Sequence, residues 1–278
     1  MMVRKPWLKI LLMVLLWSML GGVAMAQPSL TQHPVYLVHP GSVEGTPKEY
    51  CLIEQKSGAG QSRYYMDVES VICGSKVCKV VTVRLFWDEL GRYTHFDMPA
   101  GMALEKEEGE AFTQADYDKL QQILANPFSP LQDVYKEDLV DPASDYNAID
   151  ALSGATVTID QTAIVKGAVW TCYTLWHWAH GPVVAYIRDH TGRAYAVEEL
   201  LVWLSERDSP YQVLALEQLT KRKAYGDSEI NAVEQIALKT ESLFSASLCY
   251  FEKAPWLYMK ELSPCYSSVP QLPTECAT

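Results

Sequence analysis

The sequence predicts an α+β protein: an antiparallel sheet with helices packed on it, followed by a small all-α region. Three observations lead there. Residues 63–71 and 79–87 are rich in β-branched and aromatic side chains, and Asp88-Glu89-Leu90-Gly91 supplies a turn back into Arg92–Pro99. Thr113 followed by Asp116 opens a helix whose apolar positions Leu120, Ile123 and Leu124 share one face, and Asn126-Pro127 ends it. Beyond residue 196 the apolar spacing is helical almost without interruption.

Taken in order, the first 26 residues read as a secretory signal peptide. Arg4, Lys5 and Lys9 precede the apolar run Ile10–Leu20, and small residues close it at Ala24-Met25-Ala26. Retention of this segment as an uncleaved anchor is the alternative. Residues 27–62, rich in Pro, Gly and Ser, read as an irregular lead-in with one strand-like run, Pro34–Pro40. The sheet and its helices are expected over 63–195. A second helix is expected from Thr158, with Gln161 completing a capping box, through Ala163, Ile164, Gly167, Ala168 and Leu175 to Gly181-Pro182. After it, Val183–Asp189 reads as a strand and His190–Arg193 as a turn. Residues 196–262 hold two or three amphipathic helices with short polar turns, similar to a HEAT repeat pair. Residues 263–278, with Pro264, Pro270 and Pro273, read as a tail.

Composition removes several function classes. A net charge of −11 argues against nucleic acid or an anionic membrane surface as the main partner. All seven cysteines (Cys51, Cys73, Cys78, Cys172, Cys249, Cys265 and Cys276) follow the signal segment, where disulfides form and persist, and the odd number leaves at least one thiol free. Cys73 and Cys78, separated by a Gly-Ser turn, are the expected local pair, a clip rather than a redox centre. There is no C-x-x-C-H haem motif, no phosphate-binding glycine loop, no G-x-S-x-G and no zinc-type cysteine spacing. No metal site is expected. His177 and His180 are three residues apart but lack a third ligand nearby, so capping of their own helix is the expected role. Glu105–Glu110 reads as a solvated loop without EF-hand spacing.

One stretch carries chemistry: Asp150-Ala151-Leu152-Ser153-Gly154-Ala155-Thr156. Gly154 removes the side chain that would block close backbone approach, and Thr156 presents a hydroxyl just before a helix start, where the macrodipole favours an anion. The run resembles the D-x-x-S-G-A-T flavinylation motif of the FMN-binding domain family, which includes the C subunit of the sodium-pumping NADH:quinone oxidoreductase and the G subunit of Rnf-type complexes. The resemblance covers about residues 63–180. It implies that Thr156 carries FMN through a phosphoester installed by a flavin transferase, that Gly154 and Ala155 permit approach, and that Asp150 and Ser153 complete the recognised motif. It also implies a carrier whose FMN passes electrons between redox protein partners, more an electron-transfer protein than a substrate-turning enzyme, and the leader of residues 1–26 makes the expected location exported, periplasmic or extracytoplasmic. The family's upstream flavin-holding loop has no counterpart here. Residues 97–112 take its place, and Met98, Met102 and Leu104 are candidates to line the ring. Trp170, Tyr173, Trp176 and Trp178 are spread round the second helix and read as core. A flavin-free binding or scaffold module using the helical region is the alternative.

Overall fold

The computed structural model describes residues 29–42, 45–57, 61–73, 78–106, 109–135, 139 and 162–255. Its sheet is a five-stranded meander, β1 (Ser29–Val38), β2 (Pro47–Lys56), β3 (Ser62–Cys73), β4 (Cys78–Asp88) and β5 (Tyr93–Asp97), in the order β1-β2-β3-β4-β5. Every neighbouring pair is antiparallel. Alternation sets the two faces apart. Val35, Leu37, Leu52, Tyr64, Met66, Val68, Val83, Leu85 and Trp87 are buried on one face. On the other, Arg84 makes a two-pronged ion pair with Asp67 at 2.7 and 2.9 Å and lies over the Tyr65 ring, while Phe86 stacks on His95. The predicted strands β3 and β4 and the turn between β4 and β5 are present. In that turn Asp88 accepts hydrogen bonds from the Leu90 and Arg92 amides, and Gly91 takes φ +74°, a conformation glycine adopts without penalty. The β3–β4 register sets Cys73 opposite Cys78.

Two strands replace the expected irregular lead-in. Both β1 and β2 are ten residues long and pair along their whole length. Their pattern was obscured by Pro34, which the edge position of β1 tolerates, and by a carboxylate, Glu54, at an inward position next to Leu52.

Helix α1 (Gln114–Ala125) matches the expectation closely. Thr113 accepts from the Asp116 amide, Asp116 accepts from the Thr113 amide at 2.9 Å, and Leu120, Ile123 and Leu124 are buried. A 3-10 turn follows at Pro130–Asp133. Helix α2 (Val169–His180) starts later than expected, with Ala168 at its N-cap. Residues 162–168 form turns, and Gly167 at φ +73° interrupts any helix there. Thr158, the expected N-cap, lies outside the described residues. Helix α3 (Pro182–Arg193) replaces the expected strand and turn. Pro182 occupies the first helical turn, where its missing amide hydrogen costs nothing, and Val183, Ile187 and Thr191 recur every four residues on the buried face. The local β-branched bias was overridden by packing.

Four further helices follow: α4 (Val197–Glu206), α5 (Ser209–Lys221), α6 (Asp227–Lys239) and α7 (Phe244–Lys253). The last expected amphipathic segment is thus two helices, divided at Thr240 and a 3-10 turn, Glu241–Leu243. The core has two parts. The larger lies between the sheet, α1, α2 and α3; the smaller gathers Leu200, Trp203, Leu204, Leu214, Leu219, Val233, Tyr250 and Phe251. Leu90, at the tip of the β4–β5 hairpin, is 1% exposed and inserts into the smaller core, joining the two. Polar contacts reinforce the joint. Arg188 grips Glu217 at 2.9 and 3.1 Å and donates to the Leu90 carbonyl, and Tyr211 hydrogen-bonds Glu89. Arg222 donates to the Gly192 carbonyl in the last turn of α3 and to the Tyr195 carbonyl just beyond it. Among the described residues no helix is long and apolar enough to cross a membrane.

Candidate functional site

The residues singled out by the flavinylation motif, Asp150, Ser153, Gly154, Ala155 and Thr156, lie outside the described residues. Ala163, Ile164, Val165 and Ala168 are buried, and α2 begins without a side-chain cap. Along α2, Trp170 is half-buried while Tyr173, Trp176 and Trp178 are core residues, as expected. Leu104 is buried, Met98 packs against the core and Met102 is 46% exposed, so these three do not form one surface. Thr171 and Thr174 on α2, and Ser70 on the strand it packs against, are buried with hydroxyls that have no hydrogen-bond partner among the described residues. Cys172 is also buried; loss of solvent pushes its thiol up to about 12, so it is inert as a nucleophile at neutral pH. Cys51 is a second free thiol, on the exposed side of β2.

His177 and His180 do not cap their own helix. The Nε2 of His180 bonds the Leu124 carbonyl at 2.8 Å, the Trp176 indole donates to the Asn126 carbonyl at 2.9 Å, and the Nε2 of His177 bonds the Leu131 carbonyl at 3.1 Å. Leu124 belongs to the last turn of α1, whose carbonyls have no intrahelical donors, so α2 caps α1 across the interface. Burial lowers the pKa of both histidines from the ordinary 6.5. Both are therefore neutral in the fold near neutral pH, and the unfolded chain takes up protons first as pH falls through 6.5. The expected result is stability that declines between about pH 7 and pH 5, with a flatter profile in a His177→Gln, His180→Gln double variant that is less stable at the upper end. Urea unfolding across that range measures it.

A different set of polar residues converges at the sheet edge. His33 and Glu54 project from β1 and β2 toward the core, and His190 reaches them from the last turn of α3. The Nε2 of His33 is 3.1 Å from Glu54 Oε2, and the Nε2 of His190 is 3.4 Å from that same oxygen. The three ligand-type atoms lie within 4.8 Å of one another. Glu54 Oε1 is held separately: the Ser62 hydroxyl donates to it at 2.7 Å, the Tyr64 hydroxyl at 3.4 Å, and Lys56 Nζ is 3.4 Å away. The Tyr186 ring, one helical turn before His190, is parallel to the His190 ring within 6°. Burial raises the Glu54 pKa, but hydrogen bonds from Ser62 and His33, with the charges of Lys56 and His190, outweigh it and hold the carboxyl at about 2. Glu54 is therefore a buried, ionised carboxylate at neutral pH. Burial also pushes Tyr64 up to about 12, so it remains a neutral donor.

The chain matches no known protein family, no curated protein and no solved structure. Sequence reasoning passed over His33, Glu54 and His190. The available signal was Glu54 itself, a charge at the position where the Leu52 alternation calls for an apolar side chain; such a residue needs buried partners.

Proposed function

We propose that the protein is an exported flavoprotein carrying FMN in phosphoester linkage at Thr156, relaying electrons between protein partners. One observation carries this reading: the D-x-x-S-G-A-T run at residues 150–156, in a chain that opens with an export-type leader. The antiparallel sheet with helices on one face is the setting the resemblance calls for.

FMN, when bound, supplies reversible electron uptake and release. The chain's own residues do the rest. With FAD as the flavin transferase's donor, the Thr156 hydroxyl oxygen would take the FMN phosphoryl group as the pyrophosphate bond breaks, the hydroxyl proton is lost and AMP leaves; Gly154 and Ala155 would permit its approach, and Asp150 and Ser153 would complete the sequence the transferase reads. No nucleotide-binding fingerprint accompanies the motif, so electrons arrive from and leave to other proteins.

A flavin-free scaffold is the second reading, favoured by Val202 and Leu238, apolar residues left 48% and 73% exposed on α4 and α6. Co-expression with a flavin transferase in an export-competent host separates the two. The proposed function predicts a fluorescent band that survives denaturing electrophoresis; a dark band beside a labelled control substrate would leave the scaffold.

A further inference from the structure

We propose that His33, Glu54 and His190 form a binding site for a borderline divalent cation of the Zn²⁺ type, which ties the sheet edge to helix α3. Two imidazole nitrogens and one carboxylate oxygen are the donor set of three-ligand zinc centres, in which a fourth position stays open. The spacing fits. Ligands about 2.0–2.1 Å from a tetrahedral ion stand about 3.3 Å apart, and two of the three edges here measure 3.1 and 3.4 Å.

The surroundings match what such an ion requires. Only Oε2 of Glu54 faces the two histidines; Oε1 is occupied by Ser62 and Tyr64, which fixes the carboxylate plane and leaves one oxygen for the ion. The Glu54 side chain is 4% exposed and that of His33 14%, whereas that of His190 is 33% exposed, so the open position and the entry path lie on the α3 side. Without an ion, two imidazoles converge on a single oxygen and only one geometry meets hydrogen-bond distance well, at 3.1 Å. An ion serves both nitrogens at once. Because β1 is the sheet's edge strand, the site closes an edge that would otherwise be held to α3 by few contacts. The remaining tetrahedral position accepts water or an oxygen of a small ligand.

The test uses the mature full-length chain, freed of metal by a chelator and titrated with ZnCl₂ by calorimetry, with Co²⁺ as a spectroscopic stand-in. One equivalent should bind, melting temperature should rise, and Co²⁺ should give tetrahedral d–d bands without the charge-transfer band of a thiolate ligand. Loss of a direct ligand in His190→Ala should weaken binding at least as much as the about 10–100-fold typical of losing an outer partner, and Ser62→Ala should fall within that range. Glu54 is buried, and its loss endangers the fold; the more exposed His190 gives the decisive variant, with circular dichroism confirming that it folds. The same stoichiometry should be found in a Thr156→Val chain, so the result is independent of flavin. Absence of binding in the wild type, full binding in His190→Ala, or a thiolate band from Cys51 would overturn the proposal.

Discussion

Replacing Trp87 by alanine is expected to remove about 3–5 kcal/mol of stability, the largest single effect in the sheet domain. The side chain is 1% exposed near the end of β4, with Tyr64 on one neighbouring strand and Tyr93 on the other. Its indole nitrogen also donates to the Ala179 carbonyl at 2.8 Å. That carbonyl is in the last turn of α2 and lacks an intrahelical donor, so the substitution creates a cavity and orphans a buried acceptor together. Trp87→Phe separates the two contributions. It keeps most of the apolar volume and should cost about 1–3 kcal/mol, the penalty of the unpaired carbonyl. Urea midpoints measured at fixed pH decide this; a Trp87→Phe protein as stable as wild type would show that the hydrogen bond contributes nothing. Because typical domains have only about 5–15 kcal/mol in total, the alanine variant should sit near the threshold of folding.

The second large effect belongs to Gly181, which ends α2 and begins α3. A Cβ at this position would stand 2.2 Å from the His177 carbonyl oxygen. Backbone cannot retreat as a flexible side chain can, so Gly181→Ala should cost about 3 kcal/mol, the upper end for overpacking. Relief by unwinding the last turn of α2 would break the Trp87–Ala179 and His180–Leu124 bonds as well. The effects of Gly181→Ala and Trp87→Phe should therefore be less than additive, which a double-variant cycle would reveal. Additive costs would mean that the helix corner moves as a unit and leaves those bonds intact.

What could be read from the sequence was what local chemistry decides. The Thr113–Asp116 capping box and the Leu120–Ile123–Leu124 stripe determine α1 within its own residues, and Asp88 and Gly91 determine the hairpin turn. Helix α3 was illegible for the opposite reason. Val183-Val184-Ala185-Tyr186-Ile187 has the local bias of a strand, and only burial of Val183, Ile187 and Thr191 against the sheet makes it a helix. Strand β2 was hidden by the buried charge of Glu54, and with it went the cluster with His33 on the neighbouring strand and His190, which comes from a helix far along the chain. The role of His177 and His180 was half legible: the residues do cap helix-terminal and loop carbonyls, but those of neighbouring elements.

The proposed flavin linkage depends on one oxygen atom, the Thr156 hydroxyl. The most direct measurement is the mass of the proteolytic peptide containing residues 150–156, from mature protein exported in the presence of a flavin transferase. Covalent attachment would give an FMN increment localised to Thr156, absent from Thr156→Val, with the rest of the map unchanged. An unmodified peptide alongside a flavinylated control protein, or an increment that persists in Thr156→Val, would contradict it.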